Sequence, residues 1–394
     1  MIKTLKIFIM NSISKHVVPW IKNLDPYNVG KPIQELAKTL NVSEEKIVKL
    51  ASNENPLGMS PKVHSKVNNE IIKINRYPDS NSTSLKKAIS DLHGVTVNQI
   101  FLGNGSNDVL ECLAKTFLRQ GTSSMYSKYS FAVYSLATIS SGANSIVVPS
   151  TKNLGHDLSA FLSHISSDTK LIFIANPNNP TGSFISRDEI KSFLNLVDES
   201  ILVVLDEAYY EYLDDLDKTN SVDLLKDYPN LFITRSFSKA YGLAGLRVGY
   251  GLGNEEVISF MNSVRQPFNV NSLAQMAAIF ALEDQDFVEM SRIHNRQIML
   301  ELVNGLSSLG IETLHSRGNF VLANFGNQIK HTKHSLGIKL FEVLLSLGVI
   351  IRPVTNYDLP NYLRISVGTE EENKYFLKVL PQALDLIHSN SNYV

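Results

Sequence analysis

Between about residues 100 and 252, short apolar, β-branched runs alternate with helix-length amphipathic segments, and this alternation limits the fold more than any other feature. The runs lie at residues 100–102, 145–148, 171–174, 201–205, 231–234 and 247–250. Helical patterns at 107–118, 131–139 and 186–197 fall between them. Such alternation predicts an α/β fold with a mostly parallel central sheet covered by helices on both faces. Ligands of such sheets gather at the carboxyl ends of the strands. Past residue 255 come long helical stretches (272–282, 286–306) and then strand-like pieces (320–323, 363–367). That change reads as a smaller α+β domain. The expected division is an arm over 1–50, a large domain over 51–285 and a small one over 286–394. Turn signals at Asp25-Pro26 and Lys31-Pro32 suit an arm that packs on the small domain or on a neighbouring subunit.

Composition removes several classes of function. Of 394 residues, 43% are hydrophobic and 19% charged, ordinary for a chain long enough to bury a large core. Lys+Arg 37 against Asp+Glu 38 leaves a net charge of -1, so there is no footprint for nucleic acid and no pull toward an anionic membrane. The only cysteine, Cys112, excludes an intramolecular disulfide and a cysteine-based metal cluster, and reads as a small core hydrophobe. The ten histidines show no pair at metal-ligand spacing on a helix, so no metal is expected. Lysines before a short apolar run open the chain without a signal-peptide core or cleavage site, and Met10 is an alternative start. No stretch is apolar for the length of a membrane span, and a cytoplasmic protein is expected.

Four segments at the ends of these runs carry chemistry. In Ser236-Phe237-Ser238-Lys239, a lysine follows a strand between two hydroxyls, with Arg247 eight residues on. A desolvated lysine loses its proton and forms an imine with an aldehyde, while the serines and the arginine fork suit a phosphate. Asp206-Glu207-Ala208-Tyr209 puts a carboxylate at the end of a buried strand, where it can balance a protonated ring nitrogen, and Tyr209 can donate to a ring oxygen. Asn176-Pro177-Asn178-Asn179-Pro180-Thr181-Gly182 is a tight turn that holds Asn179 at another strand end, within reach of the same oxygen. Gly103-Asn104-Gly105-Ser106-Asn107 joins a strand to a helix whose free N–H groups suit phosphate. Asp108 stands where a dinucleotide loop needs glycine. Singly, each segment also reads as an ordinary loop, cap or salt bridge; their fixed order argues for one site.

This ordered set resembles the fold-type I pyridoxal-phosphate (PLP) aminotransferases over nearly the whole chain. The resemblance implies that Lys239 is the Schiff-base lysine, Asp206 the partner of the pyridine nitrogen, and Tyr209 and Asn179 partners of the ring oxygen. It further places Ser106, Asn107, Ser236, Ser238 and Arg247 around the cofactor phosphate and Phe131 against the cofactor ring. Two positions depart from the common pattern: Asn107 stands where an acidic residue is frequent, and Phe131 where some members have tyrosine.

Within that class, Leu24-Asp25-Pro26-Tyr27, Ala51-Ser52-Asn53-Glu54-Asn55-Pro56, Arg76-Tyr77-Pro78-Asp79, Arg352-Pro353-Val354-Thr355-Asn356-Tyr357 and Leu363-Arg364-Ile365-Ser366-Val367-Gly368 are similar to histidinol-phosphate aminotransferases. The likeness implies a homodimer in which Tyr77 reaches the neighbour's cofactor phosphate, with Tyr27 lining the substrate entrance. It also implies histidinol phosphate and glutamate/2-oxoglutarate as substrates. Arg364 suits the carboxylate near the reacting carbon and Arg352 the distal anion, an order the sequence leaves open. An aromatic-amino-acid aminotransferase shares every cofactor residue. A PLP-dependent decarboxylase of a phosphorylated amino acid uses similar parts. A nicotinamide-dependent dehydrogenase is disfavoured by the glycine pattern.

Overall fold

In the computed structural model, which describes residues 12–391 apart from 23, 27–29, 71–73, 216, 218–219 and 329–335, the apolar runs become strands. Those of the large sheet are β2 (Ile100–Gly103), β3 (Ser123–Ser127), β4 (Asn144–Val148), β5 (Thr169–Ala175), β6 (Leu202–Asp206), β7 (Leu231–Ser236) and β8 (Gly249–Leu252). Preceding them is β1 (Val48–Lys49); beyond them come β9 (Glu312–Thr313), β10 (Phe320–Asn324), β11 (Val349–Ile350), β12 (Arg352–Pro353) and β13 (Tyr362–Ser366). The large sheet runs β2-β8-β7-β6-β5-β3-β4. It is parallel from β7 through β4, with β8 inserted antiparallel between β2 and β7.

Alternation along the strands explains why helices cover both faces. Ile172, Ile174, Val203, Leu205, Leu231 and Ile233 point to one side, against Ile190 and Phe193 of the helix Arg187–Leu194 and the alanines of Ser272–Glu283. Leu171, Phe173, Leu202, Val204 and Phe232 point to the other, against Val109 and Leu113 of Ser106–Phe117 and Met261 of Glu255–Val264. Two details differ from the sequence expectation. The serine-rich β3 is an interior strand, paired with β4 and β5, and its buried Ser124 Oγ finds a partner in Thr138 Oγ1 at 2.6 Å. The run expected at 247–250 begins at Gly249, since Arg247 is left-handed at φ 56° and belongs to the turn.

The smaller antiparallel sheet, β12-β13-β10-β9, packs Val321, Leu363 and Ile365 against Leu302 and Leu306 of the helix Gln285–Ser308, Leu340 of Leu336–Ser346 and Phe376 of Glu370–Ser391. The amino-terminal segment joins it through β1, which pairs in parallel with β11, and through Leu36, Ala37, Ile47 and Ala51 against Ile350. Trp20 packs on the large unit instead, its Nε1 donating to Ser140 O at 3.3 Å. Asp214 and Asp217 form an ionic junction: Asp214 meets Arg292, Arg296 and Arg317, and Asp217 meets Arg317 at 2.7 Å. Among the described residues no helix is long and apolar enough to cross a membrane.

Candidate active site

Strands β5, β6 and β7 end on one cavity of about 370 Å³. Each brings chemistry because its chain continues past the sheet edge: β6 ends at Asp206, and β7 runs out through Ser236 and Ser238 to Lys239. After β5 comes the turn that holds Asn179. Lys239 Nζ donates to Ser52 O at 3.1 Å and lies 5.6 Å from the centroid of the Tyr209 ring. The Tyr209 hydroxyl accepts from Asn53 Nδ2 at 2.9 Å.

One end of the cavity is rich in donors. Here the helix Ser106–Phe117 begins, presenting Ser106 and Asn107 beside Ser236, Ser238 and Arg247. Arg247 Nη1 donates to Ser238 Oγ at 3.3 Å and to Ala244 O at 3.2 Å. Gly105 is required here by its φ of +82°, which other side chains rarely adopt; a Cβ there would also stand 2.4 Å from Arg247 Nη2. Also on the cavity wall, the register of β12 and β13 sets Arg352 directly across from Arg364. Opposed like charges on adjacent strands repel, so this pair favours an anion beside it. Arg364 is buried, donating through Nη1 to Asn179 Oδ1 at 2.7 Å and through Nη2 to Ala51 O at 2.5 Å.

Electrostatics separates the two central groups. Burial pushes the Lys239 amine down to about 7, with the Arg364 charge next in effect. A lysine so placed is substantially neutral near pH 7 and serves as nucleophile or base. Burial raises the Asp206 carboxyl, opposed by hydrogen bonds from Tyr134 and Thr234. These arrive at Oδ2 from the Tyr134 hydroxyl at 2.8 Å and at Oδ1 from Thr234 Oγ1 at 3.0 Å and Ala208 N at 3.2 Å.

Lys239, Asp206, Tyr209, Asn179, Ser106, Asn107, Phe131, Ser236, Ser238, Arg247, Arg352 and Arg364 all meet at this cavity. Tyr77 does not: it is 82% exposed and stacks on Phe268 with centroids 4.5 Å apart. Tyr27 lies outside the described residues. Sequence reading missed Tyr134 and Asn53. Tyr134 stands three residues after Phe131, a spacing that puts both on one helical turn, and that was the available signal. Asn53 lies inside Ala51-Ser52-Asn53-Glu54-Asn55-Pro56, where no chemistry of its own marks it.

A lysine and a buried carboxylate face one cavity at the strand ends of this fold, and residues 45–380 match the family model for aminotransferase class I and II, which places the chain in that class. A relative from Nitrosospira multiformis named histidinol-phosphate aminotransferase 2 is 48% identical over 366 residues, covering 93% of this chain and 91% of its own. The chain belongs to the histidinol-phosphate aminotransferase family. The crystal structure of histidinol-phosphate aminotransferase from Sinorhizobium meliloti in complex with pyridoxal-5'-phosphate is similar at a TM-score of 0.85 and 26% identity, over 94% of this chain and 98% of that one. L-threonine-O-3-phosphate decarboxylase from Porphyromonas gingivalis is similar at a TM-score of 0.75 and 25% identity, over 86% of this chain and 100% of that one. Fold alone therefore does not select the reaction.

Proposed function

We propose that the cavity binds pyridoxal 5′-phosphate and that the enzyme transfers the amino group of L-histidinol phosphate to 2-oxoglutarate, giving imidazole-acetol phosphate and glutamate in histidine biosynthesis. The carrying observation is a single cavity with a depressed lysine between a donor-rich end, a buried carboxylate and a facing arginine pair. That donor set fits the cofactor: a cradle that a Cβ at Gly105 would fill for the phosphate, and Asp206 for the ring nitrogen. When bound, the cofactor supplies an aldehyde that accepts an amino group and a ring that withdraws electrons from the neighbouring carbon.

The chain's own residues do the rest. Lys239 would be the attachment point and, once released by the incoming amine, its Nζ would carry the proton from the substrate's α-carbon to the cofactor's aldehyde carbon, the reverse half running the same transfer backwards. Asp206 holds a proton on the ring nitrogen, Tyr209 and Asn179 bind the ring oxygen, and Phe131 covers the ring face. Ser106, Asn107, Ser236, Ser238 and Arg247 take the phosphate. Arg364 binds the glutamate α-carboxylate and Arg352 the distal anion, which is a carboxylate in one substrate and a phosphate in the other. The enzyme works in the cytoplasm as a homodimer, with Tyr77 serving the neighbour's phosphate and Tyr27 lining the entrance. The exposure of Tyr77 beside Phe268, away from its own cavity, supports that arrangement.

Half-reactions test the assignment, with the cofactor's absorbance followed as histidinol phosphate, glutamate or phenylalanine is added alone. Rapid conversion by the first two and little by phenylalanine is expected. Comparable conversion by phenylalanine would move the assignment to an aromatic-amino-acid aminotransferase.

A further inference from the structure

We propose that Tyr134 is a positioning residue for this reaction, its hydroxyl keeping the Asp206 carboxylate ionised and oriented into the cavity. The inference rests on the reading of Asp206 as partner of the ring nitrogen.

Asp206 is buried at the end of β6, where a carboxylate without hydrogen bonds would take up a proton rather than remain charged. Its two oxygens are held from different elements: Oδ1 by Thr234 of β7 and the Ala208 N–H, Oδ2 by Tyr134 from the helix Val133–Ser140. A phenol donating to a carboxylate is a charge-assisted bond, stronger than a neutral pair. The phenol is a dependable donor, because burial and then the Asp206 charge hold its own titration well above the ordinary range. Glu207, Tyr209, Tyr357 and Lys239 are the other titratable groups that act on this pair.

The hydroxyl cannot easily turn away. The Tyr134 ring stacks on Phe173 with centroids 4.9 Å apart and planes 1° apart, and it meets Phe131 edge-on at 5.9 Å. Thr138 Oγ1 donates to Tyr134 O at 2.7 Å and pairs with Ser124 Oγ of β3, tying that turn to the sheet. Tyr134 N donates to Phe131 O at 3.1 Å. One turn therefore offers a ring to the cavity through Phe131 and a hydroxyl to the carboxylate beneath it through Tyr134.

Tyr134→Phe removes the donor and keeps both ring contacts. In the cofactor-free protein, the Asp206 carboxyl stretch is titrated by infrared difference spectroscopy, with Asp206→Asn to assign the band. The midpoint is expected to rise by about one unit. In the loaded enzyme, kcat is expected to fall about ten-fold with KM nearly unchanged, and the pH dependence of the cofactor's absorption to move toward that of Asp206→Asn. Should phenylalanine disturb folding, seen as a lost thermal transition, 3-fluorotyrosine placed at position 134 acidifies the donor and is expected to lower the midpoint. An Asp206 midpoint that neither substitution moves would overturn the proposal and leave Tyr134 as packing. Failure of the wild type to take up PLP would instead overturn the reading of the cavity, which the cofactor-free titration does not depend on.

Discussion

An amine held near guanidinium groups inside a protein is a liability before it is a tool. Lys239 titrates near 7 because of burial first, then Arg364, with Arg247 adding to the same effect; the ordinary value is 10.5. Below pH 7 both folded and unfolded chains carry the proton, and the folded state bears the whole cost. Between 7 and 10.5 the unfolded chain holds more protons, so stability rises with pH and the cost fades. Lys239→Met is expected to abolish transamination, and in the cofactor-free protein to raise unfolding stability at neutral pH by ~1–2 kcal/mol. The gain is largest at and below pH 7 and shrinks toward 10.5, which urea unfolding at several pH values measures. A gain that grew with pH would refute the stated titration. The chemistry at this scale was legible where one residue type suffices, as with Lys239 or Asp206 placed after an apolar run and Arg247 eight residues beyond the lysine. Tyr134 and Asn53 were not, because each acts through a partner distant in the chain, Asp206 and Tyr209 respectively.

Strands β6 and β7 deliver the carboxylate and the lysine, so their mutual register sets the geometry between the two. A buried ion pair fastens that register. Arg235 Nε donates to Glu207 Oε2 at 3.0 Å, both side chains are almost fully buried, and the guanidinium also lies 3.6 Å from the centroid of the Tyr210 ring. Glu207→Gln removes the carboxylate that pairs with a buried guanidinium and is expected to cost ~3 kcal/mol, Glu211 and the Tyr210 ring still acting on Arg235. Arg235→Met combined with Glu207→Leu removes both charges and is expected to cost less than either single change. Denaturant unfolding of Glu207→Gln, of Arg235→Met and Glu207→Leu singly, and of the double variant checks this, and additive losses in the last three would mean the two residues do not act as a pair. Element order was legible because β5, β6 and β7 are continuous apolar runs. Serine-rich β3 was not, since its strand character depends on tertiary partners such as Thr138, and the Arg235–Glu207 pair carries no local signal.

At the scale of the whole molecule, the site is assembled from segments far apart in the chain. Ala51 O accepts from Arg364, Ser52 O accepts from Lys239, and Asn53 bonds both Tyr209 and Ser366. Three consecutive residues thus connect the small sheet to the lysine and tyrosine of the large one. Tyr77 extends the same logic across the proposed dimer, since its exposed ring lies outside its own cavity. Hybrid dimers test this directly. Lys239→Ala and Tyr77→Ala chains are exchanged in equal amounts and assayed at limiting PLP. In a hybrid, the site built on the intact Lys239 receives the partner's intact Tyr77, so one of its two sites is wild type. Random exchange makes half the dimers hybrid, and the mixture is expected to recover about a quarter of wild-type activity above the background of its parents. If Tyr77 served its own subunit, each Lys239 in the mixture would still lie in a chain lacking Tyr77, and the mixture would show only the average of the two parents.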